Sequence, residues 1–288
     1  MPTSIGPTYP FSKGAIQREV MASEIKVEVS RSIGLIYIDG HPSGTGFRVG
    51  NDLIITCLHV IQGAFSARPH FIDSIRVYIQ FERKQHLQNI DPRKIFKFEA
   101  SVRFTHQEFD FAVLELSRHE IPDVHFPPPL TSFCQMQIPS EVHLIGHPGG
   151  VQMMEDSEVF PRVIEQNNDV DTYISELSNW SVQYFPDRLD HYAELRLPPR
   201  KILFHTTFDK GSSGSPGVII KNHKPCVVLM VRGGAPGCFY EKKFPGHPVE
   251  DRKRVEYGYA MEDIYKEMVC STNQNIRQLS SEIFREWF

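Results

Sequence analysis

The stretch "GTGFRVGNDLIITCLHVI", Gly44 to Ile61, decides the reading of this chain. Gly44 and Gly46 bound the start of a short strand, Gly50-Asn51-Asp52 supplies a turn, and "LIITC" (53 to 57) is an apolar run that leads directly to His59. Strand, turn and buried strand make a hairpin. A histidine that emerges from the end of a core strand is held rigidly, as a general base must be if it is to keep one tautomer. An isolated histidine at such a place more often has its nitrogens satisfied locally. The strand-turn-strand context is what favours catalysis for His59.

Similar runs flank this hairpin: "IGLIYI" (33 to 38), "IRVYIQF" (75 to 81), "FKFEASVRF" (96 to 104) and "FAVLEL" (111 to 116). With "TGFRV" (45 to 49) and "LIITC" they amount to six short strands between turn residues, which predicts one β-barrel or sandwich over residues 31–120. The proline-rich "IPDVHFPPPL" (121 to 130) cannot donate to a ladder and marks an inter-barrel linker, 121–135. A second β unit, 136–262, contains "EVHLIG" (141 to 146), "KILFHTTF" (201 to 208), "GVIIK" (217 to 221), "CVVLMV" (226 to 231) and "YGYAM" (257 to 261). Within it, residues 151–200 read as a polar, irregular insertion. Residues 1–30 form an N-terminal extension. In the final segment, 263–288, Ser271 or Thr272 caps a helix whose apolar stripe is Ile276, Leu279, Ile283 and Trp287, docked on the second barrel.

Composition bounds the function. The 288 residues, 40% of them hydrophobic, suffice for a large core without staples. Lys+Arg 31 against Asp+Glu 35 leaves a net charge of -4, so no overall basic field draws the chain to nucleic acid or an anionic membrane. The chain shows neither a secretory h-region nor a membrane-spanning apolar run. Five scattered cysteines without C-x-x-C spacing read as reduced thiols, which points to an intracellular setting, nucleus or cytoplasm. None of the 13 histidines falls in a metal-binding cluster, so the expectation is no metal and no cofactor.

The chemistry gathers at "GSSGSP", Gly211 to Pro216. A nucleophilic serine on a sharp turn needs small neighbours, because the backbone must bend and present its amides to a developing oxyanion. The segment matches G-x-S-G-x-P of trypsin-like proteases, which makes Ser213 the nucleophile and the Gly211 and Ser213 amides the oxyanion hole. Ser215 is the rival, disfavoured because it would put Ser213 at the first oxyanion amide. In "FDFAVLEL", Asp110 sits between aromatics, where a carboxylate needs a hydrogen-bond donor such as an imidazole N–H; otherwise it reads as a strand-end turn acid. The order His59, Asp110, Ser213, with the first two in one β unit and the third in the other, is that of chymotrypsin-type enzymes. Around the nucleophile, Thr207 falls at the base of the primary pocket, and Gly233 and Gly234 of "VRGGAP" form the edge that pairs with an extended substrate. Thr207 is not an acid, so an aromatic or large apolar P1 residue is expected. Asp209 would favour a basic P1 only in another register.

Taken with "LIGHPGG" (144 to 150), "KGSSGSP" and "EYGYAMEDI" (256 to 264), these motifs make the chain resemble the intracellular trypsin-like protease family called family with sequence similarity one-eleven. The resemblance covers most of residues 33 to 264. It implies an all-β, chymotrypsin-like double Greek-key β-barrel, a His59/Asp110/Ser213 triad, chymotrypsin-like preference, self-cleavage beside protein or peptide substrates, and a nuclear or cytosolic setting. His147 of "IGHPGG" is read as a turn residue outside the triad. Two other readings stay open: a catalytically silent peptide-binding barrel, and an oligomeric protease of the high-temperature-requirement type.

Overall fold

The computed structural model describes residues 20–65, 71–73, 76–83, 92–118, 125–138, 140–164 and 168–287. Most of the expected N-terminal extension, 1–19, and the start of the linker, 121–124, lie outside the described residues.

A helix, α1 (Val20–Arg31), precedes the first barrel. That barrel comprises β1 (Ile33–Ile38), β2 (His41–Val49), β3 (Leu53–Cys57), the short helix α2 (Leu58–Gln62), β4 (Val77–Phe81), β5 (Ile95–Lys97), β6 (Phe104–His106) and β7 (Phe111–Glu115). The linker contributes β8 (Ser132–Phe133). The second barrel follows with β9 (Val142–Gly146), β10 (Met154–Val159), helix α3 (Asn168–Tyr184), β11 (Ile202–Phe204), β12 (Pro216–Lys221), β13 (Lys224–Ala235), the one-turn α4 (Gly237–Glu241) and β14 (Val255–Ala260). Helices α5 (Met261–Cys270) and α6 (Gln274–Ile283) and strand β15 (Glu286–Trp287) complete the chain.

The first sheet runs β5-β4-β1-β2-β3-β7-β6 and the second β10-β9-β12-β13-β14-β11. Both close. A bridge from Phe98 to Leu116 joins the run after β5 to the end of β7, and one from Arg162 to Leu203 joins the run after β10 to β11. The expected strand "FKFEASVRF" bends between β5 and β6, so the two ends of one run serve opposite margins of the sheet. With that run counted once, each barrel has six strands, and in chain order both have the cyclic order 1-2-3-6-5-4. The chain is a double Greek-key fold of the chymotrypsin type.

Apolar periodicity explains why these segments are strands. All five residues of β3 are buried, as are the first five of β1, because each strand is covered by the barrel interior on one side and by neighbouring elements on the other. Phe47, Phe81, Phe98 and Phe111 are each at most 1% exposed. Each such ring contributes about 1.5–3 kcal/mol relative to an exposed position. The principal apolar cluster includes Ile54 and Phe111 of the first barrel together with Met230 and Tyr259 of the second, while a separate cluster around Leu144, Phe204 and Val228 lies within the second barrel.

Several expectations need correction. The fold is mostly β but carries more helix than the single C-terminal one predicted. The first C-terminal helix, α5, starts at Met261, inside the segment read as the strand "YGYAM". In α6 the cap is Asn273, whose side chain accepts from Asn275 N at 2.9 Å, in place of Ser271 or Thr272. Trp287 is in β15, not on the helix. The irregular excursion is narrower than 151–200, since 154–159 is a barrel strand. Its helix α3 buries Ile174, Leu177 and Ser181. No described helix is long and apolar enough to cross a membrane.

Candidate active site

His59 occupies the first turn of α2, directly after the buried strand β3, so the core fixes where its ring begins. Asp110 precedes β7, the neighbour of β3. Its backbone is left-handed at φ +46, a conformation that costs most residues energy but that aspartate tolerates. The turn is pinned by Asp110 N donating to Gln107 O at 3.1 Å and by Leu58 N donating to Asp110 O at 2.8 Å. The carboxylate is thereby aimed at His59. Its Oδ1 accepts from the His59 amide at 2.8 Å, and Oδ2 lies 2.5 Å from His59 Nδ1. Burial alone would raise the Asp110 pKa, but the hydrogen bonds from the His59 ring and amide and the Arg232 charge outweigh it. The carboxyl is held below the usual carboxylate range.

Arg232 is the partner that motif reading missed. Its Nε donates to Asp110 Oδ2 at 3.0 Å, while its carbonyl accepts from Ser213 Oγ at 3.0 Å. One residue of β13 thus connects the acid of the first barrel to the serine of the second. Sequence offered one signal: an arginine at the end of the apolar run "CVVLMV" needs an anion nearby. The Ser213 hydroxyl rests on the Arg232 carbonyl, and among the described residues no hydrogen bond joins it to His59. Ser215 is fully buried, and its Oγ packs where a Cβ on Gly146 would stand, facing the barrel interior.

The Ser213 loop is held from two sides. From the first barrel, Thr45 N donates to Ser213 O at 2.8 Å and Thr45 Oγ1 donates to Gly211 O at 2.9 Å. From the second, Gly149 N donates to Lys210 O at 2.5 Å. Because C=O and N–H point oppositely across a trans peptide, fixing the Lys210 carbonyl turns the Gly211 N–H away from the 147–150 turn. Among the described residues, the Gly211 and Ser213 amides donate to no protein acceptor. That leaves two amide donors for an anion. Gly211 has φ +93, and Gly214, at φ +88, would with a Cβ approach Thr45 O to 2.1 Å. Neither position admits a side chain without moving backbone.

The remaining predicted residues fall as follows. Thr207 is exposed, and its N and Oγ1 both donate to Asp156 Oδ2, at 2.6 and 2.9 Å. Asp209 accepts from Lys210 N at 2.7 Å, as a turn acid does. Gly233 and Gly234 lie on β13 beyond Met230, where its ladder with β12 begins. On that side the strand edge is available to an extended peptide. A Cβ on Gly233 meets nothing within 4 Å, whereas the space beside Gly234 is taken by Tyr240. Buried behind Gly234 is Glu256, which the sequence reading did not single out.

Cys57, His59 and Asp110 each offer a ligand atom within 4.8 Å of the others. Burial pushes the Cys57 thiol well up and its Sγ faces the Val231 carbonyl at 3.3 Å, while imidazole and carboxylate are engaged with each other. The arrangement suits proton transfer better than metal ligation.

Two buried groups give the site's surroundings opposing responses to pH. His147 is fully buried, and burial lowers its pKa from 6.5 to about 4; its Nδ1 lies 3.0 Å from Val151 O. Burial raises Glu256 from 4.5 to about 7. A lowered histidine loses stability as pH falls from 6.5 toward 4, because only the unfolded chain takes up the proton. A raised glutamate loses stability as pH climbs from 4.5 through 7, because only the unfolded chain releases its proton. Each term is on the order of 3 kcal/mol. Between 4.5 and 6.5 they oppose, so unfolding midpoints in urea should change little across that window. In Glu256→Gln the histidine term is unmasked, and the midpoint should rise steadily from pH 4 to 6.5. A flat profile in the variant would refute this account.

The family model described as a trypsin-like peptidase domain matches residues 44–219, a span that holds His59, Asp110 and Ser213. The Rv3671c protease of M. tuberculosis in its inactive form is similar in structure, with a TM-score of 0.53 at 15% identity over 91% of this chain and 100% of that one. A serine-to-alanine mutant of the same protein, also in an inactive form, gives 0.50 at 16% identity over 89% and 94%. At these identities the likeness speaks for the fold. No curated protein matches the chain.

Proposed function

Because the chain belongs to the trypsin-like peptidase domain family, we propose that it is a serine endopeptidase whose triad is His59, Asp110 and Ser213. The observation that carries this reading is the joint hold on Asp110 by the His59 ring and Arg232, with the Arg232 carbonyl already on Ser213 Oγ. In the first step Ser213 Oγ, turned from that carbonyl, attacks the scissile carbonyl carbon and passes its proton to His59 Nε2. Asp110 keeps the Nδ1–H tautomer and faces the imidazolium that forms. The Gly211 and Ser213 amides receive the oxyanion. His59 then protonates the leaving amine. In the second half water, deprotonated by His59, attacks the acyl-enzyme and releases the acid. The residues present need no cofactor for this sequence.

The extended edge at Gly233 and Gly234 supports binding of substrate by strand addition. An aromatic or large apolar P1 residue is the preference we assign. The five cysteines are free, four of them buried, which supports a reducing compartment, nucleus or cytoplasm. Self-cleavage in addition to cleavage of protein substrates follows from the resemblance to the family with sequence similarity one-eleven.

Labelling with a serine-directed fluorophosphonate tests the assignment. Wild type and Ser215→Ala should label, and Ser213→Ala should not. Undiminished labelling of Ser213→Ala would overturn the nucleophile, and a barrel that only binds peptides would label in none of the three.

A further inference from the structure

The slot beside the Gly233–Gly234 edge already holds a side chain of the protein. Gly234 pairs with Glu256 across β13 and β14. A Cβ on Gly234 would stand 2.3 Å from Tyr240 Oη and 2.7 and 2.8 Å from its ring carbons, so the volume next to this strand edge is filled by a phenol. Tyr240 Oη donates to Glu256 Oε1 at 2.7 Å, and Glu256 Oε2 accepts from Thr206 N at 3.3 Å. Asp209, on the loop that leads to Ser213, lies close enough for its charge to act on Tyr240, whose pKa is raised by burial first and by Glu256 next. The phenol is therefore held between the β13 edge at Gly234 and Glu256, which also accepts from Thr206 N at the start of the 206–213 loop. A substrate strand laid on that edge beside Ser213 would send its P1 side chain into the same space.

The element that carries Tyr240 is small. Helix α4 is a single turn that begins at Gly237, with open space on its Cα, and is followed by Lys242 in the left-handed region at φ +53. Its other ring, Phe239, stacks under Arg254 at 4.7 Å, and Cys238 is buried. Tyr240 itself is tied at its tip by the one bond to Glu256. The floor is a carboxyl 4% exposed, and its raised pKa makes it a poor counter-charge for a lysine or arginine but a good acceptor for a hydroxyl.

We propose that Tyr240 is the resident occupant of the primary specificity slot, and that Glu256 at its floor selects substrates with tyrosine at P1, whose phenol replaces that of Tyr240. This rests on the peptidase reading above and sharpens its aromatic preference. A phenylalanine would fill the slot yet leave Glu256 Oε1 without the donor that Tyr240 gives it, a loss of about tenfold to a hundredfold. Tyr240 must leave before a substrate side chain enters, which raises the apparent KM by the reciprocal of the fraction of molecules in which the slot is open.

The test uses the purified full chain and fluorogenic peptides that differ only at P1, with Tyr, Phe, Leu or Arg, alongside fluorophosphonate labelling of Ser213. In wild type the Tyr peptide should exceed the Phe peptide in kcat/KM by about tenfold or more. Tyr240→Ala should lower KM for the Tyr peptide by about tenfold, and Tyr240→Phe, which keeps the ring and folds as wild type does, should lower it by less. Glu256→Leu should erase the preference for Tyr over Phe. Unchanged KM in both Tyr240 variants, or preference for Phe, Leu or Arg in a wild type that labels, would overturn the proposal and leave the peptidase reading standing. A wild type that neither labels nor cleaves would overturn both.

Discussion

Asp110→Asn is expected to lower kcat by about 10⁴-fold on a peptide substrate without unfolding the protein. Asparagine tolerates the left-handed backbone at this position as aspartate does, so the turn should survive. The carboxylate faces only donors: the His59 amide on Oδ1, and His59 Nδ1 with Arg232 Nε on Oδ2. An asparagine NH₂ placed at either end opposes one of them. If it faces the ring, the imidazole must carry its proton on Nε2 instead, and that tautomer cannot accept from Ser213. If it faces the His59 amide, two N–H groups collide at the start of α2. The Arg232 guanidinium also loses its anion. Single-turnover labelling and steady-state kcat should fall together, because both depend on the same proton transfer. A variant within tenfold of wild type would remove Asp110 from the triad.

Gly211→Ala is expected to cost on the order of 10²- to 10³-fold in kcat. At φ +93 its Cβ would lie 2.6 Å from Gly150 N and 2.7 Å from His147 O, both backbone atoms. Side-chain rotation cannot relieve such contacts, so the 210–211 peptide must turn. That breaks the Gly149 N to Lys210 O bond and swings the Gly211 N–H out of the oxyanion position. The loss should appear in kcat with little change in KM, since the amide engages charge that develops only in the transition state. A variant with kcat within about threefold of wild type and an unchanged unfolding midpoint would exclude this amide from the chemistry.

The parts of the site legible in the sequence are those encoded locally. His59 follows a buried strand, Asp110 lies between two aromatics, and Ser213 is flanked by glycines whose positive φ the turn demands. The strand pairs β2–β3 and β12–β13 were readable for the same reason, as apolar runs separated by turn residues. What escaped depends on contacts between distant segments. Arg232 meets Asp110 across 122 residues, and Thr45 meets Gly211 across 166. Glu256 sits in a run read only as "YGYAM" with its flank, and nothing in the local pattern says that it turns inward to Tyr240. Helices α1 and α3 bury three residues each, and apolar residues that stay exposed, Val20, Met21 and Val27 in α1 and Val182 in α3, blur the stripe. Strand β10, "MEDSEV", has no apolar alternation, because its pairing with β9 rests on backbone bonds and its acids serve Lys26, Thr206 and Thr207.

The strand β15 ties the C-terminal segment back to the linker between the barrels. It lies parallel to β8 of the linker, Trp287 stacks on Tyr265 of α5 with ring centres 4.7 Å apart, and Phe284 meets Phe133 at 4.8 Å. From the same segment Arg285 reaches Asn51 Oδ1 at 2.8 Å, and Glu282 accepts from the Asn51 amide at 3.3 Å, both at the tip of the β2–β3 hairpin. The far end of that hairpin leads to His59. The C-terminal segment thus joins the linker, α5 and the tip of the hairpin whose other end runs into His59, so residues well removed from the cleft fasten the strand that carries that imidazole.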